Sequence, residues 1–152
     1  MNHIHFEVLG NPQAQKRHRT GKWGRYDPSA GDKADFLAMC RDNAPEKPIE
    51  GAVILYLVFW MPIPKSSSKR LREQVACIDS VDYLPIDIPQ HIRNNPTLFS
   101  ILHIKRPDES NFQKMVEDAM DKIFWNDDSQ VQIGGAFKLY SQKPRTEIEV
   151  IY

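Results

Sequence analysis

The 152-residue sequence has few features of secreted, membrane or zinc-binding proteins. It contains only two cysteines, Cys40 and Cys77, and neither they nor its five histidines have the spacing of a metal site. The longest apolar run, AVILYLVFWM at 52–61, is too short to span a bilayer. The N-terminus, MNHIHFEVLG, lacks the basic start and apolar centre of a signal peptide. We therefore expect a cytoplasmic protein with reduced thiols and no membrane contact.

Net charge is also absent, because 20 basic and 20 acidic residues cancel. A formally neutral chain argues against a strongly cationic nucleic-acid binder. The charges are nevertheless unevenly distributed: residues 16–25, KRHRTGKWGR, and residues 65–72, KSSSKRLR, contain basic but no acidic side chains. Residues 108–128 carry many acids and only the lysines Lys114 and Lys122. The neutral total conceals two basic stretches and one acidic segment.

Hydrophobic periodicity predicts an α+β fold in one domain spanning 1–152, and 41% hydrophobic residues are enough for a single core. Strands are predicted at 3–9, 52–60, 99–105, 129–140 and 145–151, the last two as an antiparallel hairpin around SQKPR. Helices are predicted at 29–43, 67–75 and 109–123, and a loop at 13–28. We expect a small mixed sheet of four or five strands with two main helices, 29–43 and 109–123, packed on it.

Residues 76–100 are the least regular part of the sequence. Pro85, Pro89 and Pro96 exclude long helices or strands, whereas Ile86 and Leu98 indicate packing against a core. We therefore expect an ordered loop insertion at about 76–100.

The segment KRPDESNFQKMVEDAMDKIFWNDDSQV, residues 105–131, places acids at both ends of an amphipathic helix. The apolar residues with helical spacing are Phe112, Met115, Val116, Ala119, Met120 and Ile123. At about 100° per residue, Asn111, Lys114 and Asp118 fall on one flank of this stripe. Because short connections favour side-by-side packing, Asp128 at the start of the next strand can approach Asp108.

Each feature of this segment also has a purely structural explanation. Asp108 or Ser110 can cap the helix, and acids in a first turn favour the helix dipole. NDDS is ordinary turn composition, and Lys114 with Asp118 is an ordinary i,i+4 pair. The combination of these features is harder to explain in this way.

The segment resembles the signature of the RusA-type Holliday-junction resolvases. Their pattern is Pro-Asp-x-Asp-Asn, a Lys three residues later, Asp-Ala, and a Trp followed by Asp-Asp-x-Gln-Val. The resemblance is close over about 25 residues and looser elsewhere, where an N-terminal strand, a Pro and basic loop, MPIP after a central strand, and a closing hairpin follow in the same order. It implies a RusA-like fold and a dimeric endodeoxyribonuclease that resolves four-way junctions or other branched DNA in recombination or repair, in a bacterium or a phage. The near two-fold symmetry of such a junction suits a symmetric homodimer, and the apolar residues of 84–99 are a candidate interface.

The resemblance also assigns roles to individual residues. Asp108, Lys114 and Asp128 would be catalytic, and Mg²⁺ or Mn²⁺ would be held by Asp108, Asp128, Asp127 and Ser110. The supporting positions would be Asn111, Asp118 and Gln130. Because phosphate contacts supply most of the affinity for nucleic acid, the basic residues are predicted to bind DNA. These are Lys16, Arg17, Arg19, Lys69, Arg70, Lys105 and Arg106.

The sequence departs from the family pattern at Ser110, where the family has its second essential Asp. A serine hydroxyl can coordinate a hard cation but adds no charge, so we expect weaker metal binding. Glu109 is adjacent, but one residue of helix rotates it by about 100°. Since Mg²⁺ typically needs only one or two carboxylates with substrate phosphate oxygens, the loss need not abolish activity.

Three hypotheses follow. The first is a metal-dependent, structure-selective endonuclease, and the second is a junction-binding homologue with weak or no catalysis. The third is an interaction module without a nucleic-acid role, which zero net charge allows. Trp23 and Tyr26 lie in the first basic stretch, where either can stack on an unpaired base at a branch point, or Trp23 can serve as a hydrophobic anchor.

Overall fold

The computed structural model describes all 152 residues and shows mixed helices and strands. The strands are β1 (His3–Leu9), β2 (Arg19–Gly21), β3 (Gly24–Tyr26), β4 (Val53–Pro62), β5 (Val131–Ser141) and β6 (Arg145–Ile151). The helices are α1 (Ala30–Cys40), α2 (Lys69–Asp79), α3 (Ile88–Asn94), α4 (Pro96–Ser100) and α5 (Glu109–Met120). Single 3₁₀ turns occupy Arg41–Asn43, Pro85–Asp87 and Asp128–Gln130. The predicted α+β class is confirmed.

The main sheet has four strands in the order β1-β6-β4-β5. β4 runs parallel to β5 and antiparallel to β6, so it lies between two strands that are consecutive in sequence. The predicted antiparallel hairpin of residues 129–140 and 145–151 is therefore wrong. Residues Leu57–Met61 of β4 are all buried, as expected for a central strand of a sheet that is covered on both faces. A direct β5–β6 hairpin would have left β4 at an edge.

Helices α1 and α5 cover one face of the sheet. Phe59 of β4 packs on Phe112 of α5 with 5.3 Å between ring centroids, and Phe6 of β1 stacks on Phe124 at 5.7 Å. The stripe predicted from the sequence is buried from Phe112 to Met120. The helix ends earlier than the predicted residue 123, and Lys122 just beyond it has a positive φ of 65°. The amphipathic pattern thus sets which flank of α5 faces the core.

Residues 76–100 cover the opposite face and are mainly helical, so the expectation of a loop there is wrong. Pro85, Pro89 and Pro96 stand at the first positions of a 3₁₀ turn, α3 and α4, where a missing N–H disrupts no helical hydrogen bond. Ile88 and Leu98 are fully buried. The prolines that appeared to forbid helices start short ones instead.

Two further predictions need correction. The 13–28 loop contains the antiparallel hairpin β2–β3, and the predicted strand at 99–105 is reduced to one isolated bridge between Leu102 and Leu139. No helix is long and apolar enough to cross a membrane.

Candidate active site at helix α5

Asp108 immediately precedes α5 and presents an exposed carboxylate. It occupies the N-cap position with extended backbone angles, φ −66° and ψ 150°, yet its side chain accepts no capping hydrogen bond. Ser110, the other capping candidate, is exposed inside the first turn. The Asp108 carboxylate is therefore not used to cap the helix, which leaves its oxygens free for a ligand.

Lys138 of β5 fixes the segment that leads to Asp108. Its side-chain nitrogen donates hydrogen bonds to the carbonyls of Lys105 and Pro107, each at 2.6 Å, and lies 5.7 Å from the ring centroid of Phe112. Burial lowers the pKa of Lys138, while the negative charges of Asp108 and Glu109 act in the opposite direction. Lys138 was not among the site residues predicted from the sequence. The only signal was a lysine inside the apolar run FKLY of a strand.

A second group of charges lies where the chain enters β5. Asp128 begins a 3₁₀ turn, is exposed and accepts no side-chain hydrogen bond. It lies near Glu117 of α5, whose pKa is raised first by burial and further by Asp118 and Asp128. A hydrogen bond from Gln113 and the positive charge of Lys114 oppose that rise. Glu117 is a further residue that the sequence analysis did not assign to the site.

Lys114 is exposed, and its side chain makes no ion pair or hydrogen bond. The sequence indicated an i,i+4 pair with Asp118, but the structure does not contain it. Asp118 accepts a hydrogen bond from Lys33 of α1 at 2.9 Å instead. The competing lysine comes from a neighbouring helix, which a pattern within one helix cannot reveal.

Asp127 differs from its neighbour Asp128 because the turn uses its carboxylate. Asp127 accepts a hydrogen bond from the Ser129 backbone N–H at 3.0 Å and pairs with Lys122 at 3.5 Å. The hydrogen bonds from Ser129 and the charge of Lys122 lower the pKa of Asp127 to about 2. Gln130 completes the turn by accepting from the Asp127 N–H at 2.8 Å. Its amide nitrogen also donates to the carbonyls of Ile49 and Gly51, so both residues are held in local structure.

Asn111 and Asp118 connect α5 to the basic segment before α1. The Gln15 backbone N–H donates to the backbone carbonyl of Asn111 at 2.9 Å. Lys33 bridges Asp118, at 2.9 Å, and Asp27, at 2.7 Å. The hydrogen bond from Lys33, with one from the Ser29 backbone, lowers the pKa of Asp27. These two supporting positions therefore act as anchors for residues 15–27.

The predicted metal ligands do not form a closed cage. No group of three or more His, Cys, Asp or Glu side chains is arranged to hold a metal ion. Both residues do offer unpaired carboxylate oxygens, the donor type that Mg²⁺ and Mn²⁺ prefer. This donor set fits an ion held by one or two carboxylates together with phosphate oxygens. The approach of Asp128 to Asp108 stays a prediction.

The predicted DNA-binding residues are all exposed but lie on different elements. Lys16, Arg17 and Arg19 lead into β2, Lys69 and Arg70 begin α2, and Lys105 and Arg106 precede Asp108. Lys16 pairs with Asp32 at 3.0 Å and Lys69 with Glu73 at 3.7 Å. The other five form no ion pair within the chain.

Comparisons with known proteins cover almost the whole chain. A family model described as "Endodeoxyribonuclease RusA" matches residues 10–151. The chain is also 30% identical to "Uncharacterized protein YqaN" of Bacillus subtilis (strain 168) over 158 aligned residues. That alignment spans 99% of this chain and 96% of the relative. Both matches include α5, the turn at Asp128 and the basic segment before α1.

Proposed function

We propose that this chain, which belongs to the RusA endodeoxyribonuclease family, is a metal-dependent endonuclease that resolves Holliday junctions or other branched DNA by paired nicks. The observation that carries the residue assignment is a contrast in pairing. Asp108, Lys114 and Asp128 expose side chains without a hydrogen-bond or ion-pair partner, whereas Asp118 and Asp127 nearby are paired.

The chemistry of phosphodiester hydrolysis explains why such charges would be left free. A bound Mg²⁺ or Mn²⁺ would supply an activated water and stabilise charge on phosphate oxygens. Asp108 and Asp128 would provide carboxylate oxygens to that ion, and the Lys114 ammonium would contact the phosphate. Lys138 would keep Asp108 in position, since it bonds both carbonyls of the segment that precedes it.

The exposed basic residues would position the duplex arms. Arg17, Arg19, Lys105 and Arg106 form no ion pair within the protein, so phosphate groups can neutralise them without breaking an existing contact. Because such binding releases counterions, the affinity should fall steeply as salt rises.

The assembly that suits this substrate is a symmetric homodimer, because a four-way junction requires two matched nicks. Part of the candidate interface at 84–99 is used in the core, since Ile88 and Leu98 are fully buried. Leu84 and Phe99 remain 44% and 63% exposed, which supports a second copy packing there.

The proposal is tested by incubating the protein with a labelled four-way junction or a linear duplex, with Mg²⁺, with Mn²⁺ or with a chelator. We expect the wild-type protein to make paired nicks in the junction but not in the duplex, and only when metal is present. Asp108→Asn should make no nicks. Nicking in the chelator would contradict metal dependence. Nicking by Asp108→Asn at the wild-type rate would contradict the assignment of Asp108.

The alternative is a junction-binding homologue that cleaves weakly or not at all, which Ser110 favours. It predicts tight, salt-sensitive junction binding without nicks and a gain of nicking in Ser110→Asp. Metal-dependent cleavage by the wild-type protein at a rate that Ser110→Asp does not raise would exclude it.

A further inference from the structure

The first basic stretch, residues 16–25, contributes most of a small hairpin that projects from the protein surface and ends at Tyr26. All six residues of β2 and β3 are exposed, with Arg19 opposite Tyr26 and Thr20 opposite Arg25. The two-residue turn between the strands is Lys22-Trp23. Gly24 follows it with φ +113°, a conformation that other residues rarely adopt. The hairpin thus has a defined backbone but buries little of its own surface.

Trp23 at the hairpin tip is almost entirely in solvent. Its exposure is 93%, whereas the other tryptophans, Trp60 and Trp125, are 2% and 0% exposed. The Lys22 side-chain nitrogen lies 5.3 Å from the Trp23 ring centroid, and that is the only contact of this kind at the tip. Large aromatic side chains stabilise a fold when they are buried. Because Trp23 stays in solvent, it contributes little to this fold. An exposed aromatic ring surrounded by positive charge is typical of surfaces that bind single-stranded nucleic acid.

Both ends of the hairpin are attached to α5. Before the hairpin, the Gln15 backbone N–H donates to the backbone carbonyl of Asn111, which lies three residues after Asp108 in the sequence. After it, Asp27 is joined through Lys33 to Asp118. The Lys16 backbone N–H also donates to the hydroxyl of the fully buried Ser29 at 2.8 Å, which ties the two ends together. The position of Trp23 is therefore set relative to the helix that carries the candidate catalytic residues.

We propose that the β2–β3 hairpin is a branch-point recognition element, in which Trp23 stacks on an unpaired base while Arg19, Lys22 and Arg25 contact the flanking phosphates. The inference rests on the proposed action on branched DNA. It assigns a different role to each kind of residue: phosphate contacts give affinity for any DNA, and stacking favours DNA with accessible base faces. A continuous duplex offers no such face away from its ends.

The test uses Trp23 as its own fluorescent probe, because the other tryptophans are buried. The full-length protein is titrated with a four-way junction or a linear duplex of matched length in chelator, which prevents cleavage. Acrylamide quenches only exposed rings, so the quenchable part of the tryptophan emission reports Trp23, and the anisotropy of labelled DNA reports binding independently. We expect the junction to quench the emission and protect Trp23 from acrylamide, and the duplex at equal saturation to do so much less.

Variants separate stacking from charge. Trp23→Ala should weaken junction binding by about 5- to 150-fold, with little change for the duplex. Trp23→Phe, which retains a ring, should restore most of the affinity. Lys22→Ala, the matched control, should weaken both complexes alike and reduce the salt dependence by about one counterion. Folding is not at issue, because Trp23 is already 93% exposed and its replacement removes little buried surface.

The outcomes distinguish this inference from the proposed function. If anisotropy detects no binding to either DNA, both fail. If the junction binds but Trp23 stays accessible to acrylamide and Trp23→Ala binds normally, the hairpin assignment is wrong and the proposed function stands. If Trp23→Ala weakens junction and duplex equally, recognition of the branch point is likewise refuted.

Discussion

Two groups of charges at helix α5 differ in how they are paired. In the first group, Asp118 is bonded to Lys33 of α1, which also holds Asp27. In the second group, Lys114 of α5 and Asp128 at the entrance to β5 influence Glu117 through space but form no ion pair. The first group stabilises the protein, whereas the second leaves charge for a ligand to neutralise.

The pairing of these acids says more about their roles than their positions in the sequence do. Charges that hold a fold together are neutralised within the chain, and charges that act on a substrate are kept free at some electrostatic cost. Pairing therefore separates supporting acids from candidate catalytic ones where the residue type does not.

The greatest loss of nicking activity should come from Lys114→Gln. Removing one preorganised group that contacts the reacting phosphate typically lowers the rate by about 100- to 1,000-fold. Because the Lys114 side chain is exposed and unpaired, the melting temperature should not change. Nicking rates at saturating junction and thermal unfolding measure the two quantities. A variant that keeps its nicking rate would place Lys114 among ordinary surface lysines.

The next largest effect should be a gain in metal affinity from Ser110→Asp. A third carboxylate near Asp108 adds charge to the ligand set, so we expect metal affinity to rise by about tenfold. The metal concentration that gives half-maximal nicking measures this, and Ser110→Asn is a control of similar size without charge. Equal metal dependence in all three proteins would mean that position 110 lies outside the metal site.

A loss of stability is expected from Lys33→Gln, in the paired group of charges. The lysine side chain is only 16% exposed and serves two acids, so its loss leaves Asp27 and Asp118 without their lysine partner. The melting temperature should fall by a few degrees, while nicking by the folded variant at saturating junction is largely kept. The opposite pattern, normal stability with lost nicking, would reverse the comparison between the paired and the unpaired group.

The smallest effect should be the pH dependence of the stability that the Lys33–Asp27 contact contributes. The hydrogen bond from Lys33 lowers the folded-state pKa of Asp27 below its ordinary 3.8. A carboxyl with a depressed pKa stabilises the fold above its unfolded pKa and loses that contribution as the pH falls. The difference in melting temperature between wild type and Lys33→Gln should therefore be steady from about pH 5 to 8 and shrink below about pH 4. A difference that grows in acid would contradict this assignment.

The sequence predicted those features of the fold that depend on local periodicity. The buried stripe of α5 from Phe112 to Met120 and the apolar run of β4 are found where the patterns indicated. Strand order was not accessible in this way, because the position of β4 between β5 and β6 depends on pairing with strands remote in sequence. The helices at 88–100 were missed because proline disfavours helix interiors but is accepted at helix starts.

The candidate site was predicted in part for a similar reason. The segment 105–131 indicated Asp108, Lys114 and Asp128, but their unpaired state depends on contacts between elements. Lys33 takes Asp118 away from Lys114, and Lys138 reaches the carbonyls before Asp108 from a strand remote in sequence. Such long-range partners leave no periodic signal within a single element.

The most direct measurement compares Asp128→Asn with Asp118→Asn, an unpaired acid at the entrance to β5 and a paired acid of α5. Each variant is assayed for metal-dependent junction nicking and for thermal unfolding. We predict that Asp128→Asn loses nicking and keeps its melting temperature, and that Asp118→Asn unfolds at a lower temperature but still nicks the junction when folded. Equal nicking by Asp128→Asn and the wild type, or loss of nicking only in Asp118→Asn, would contradict the account.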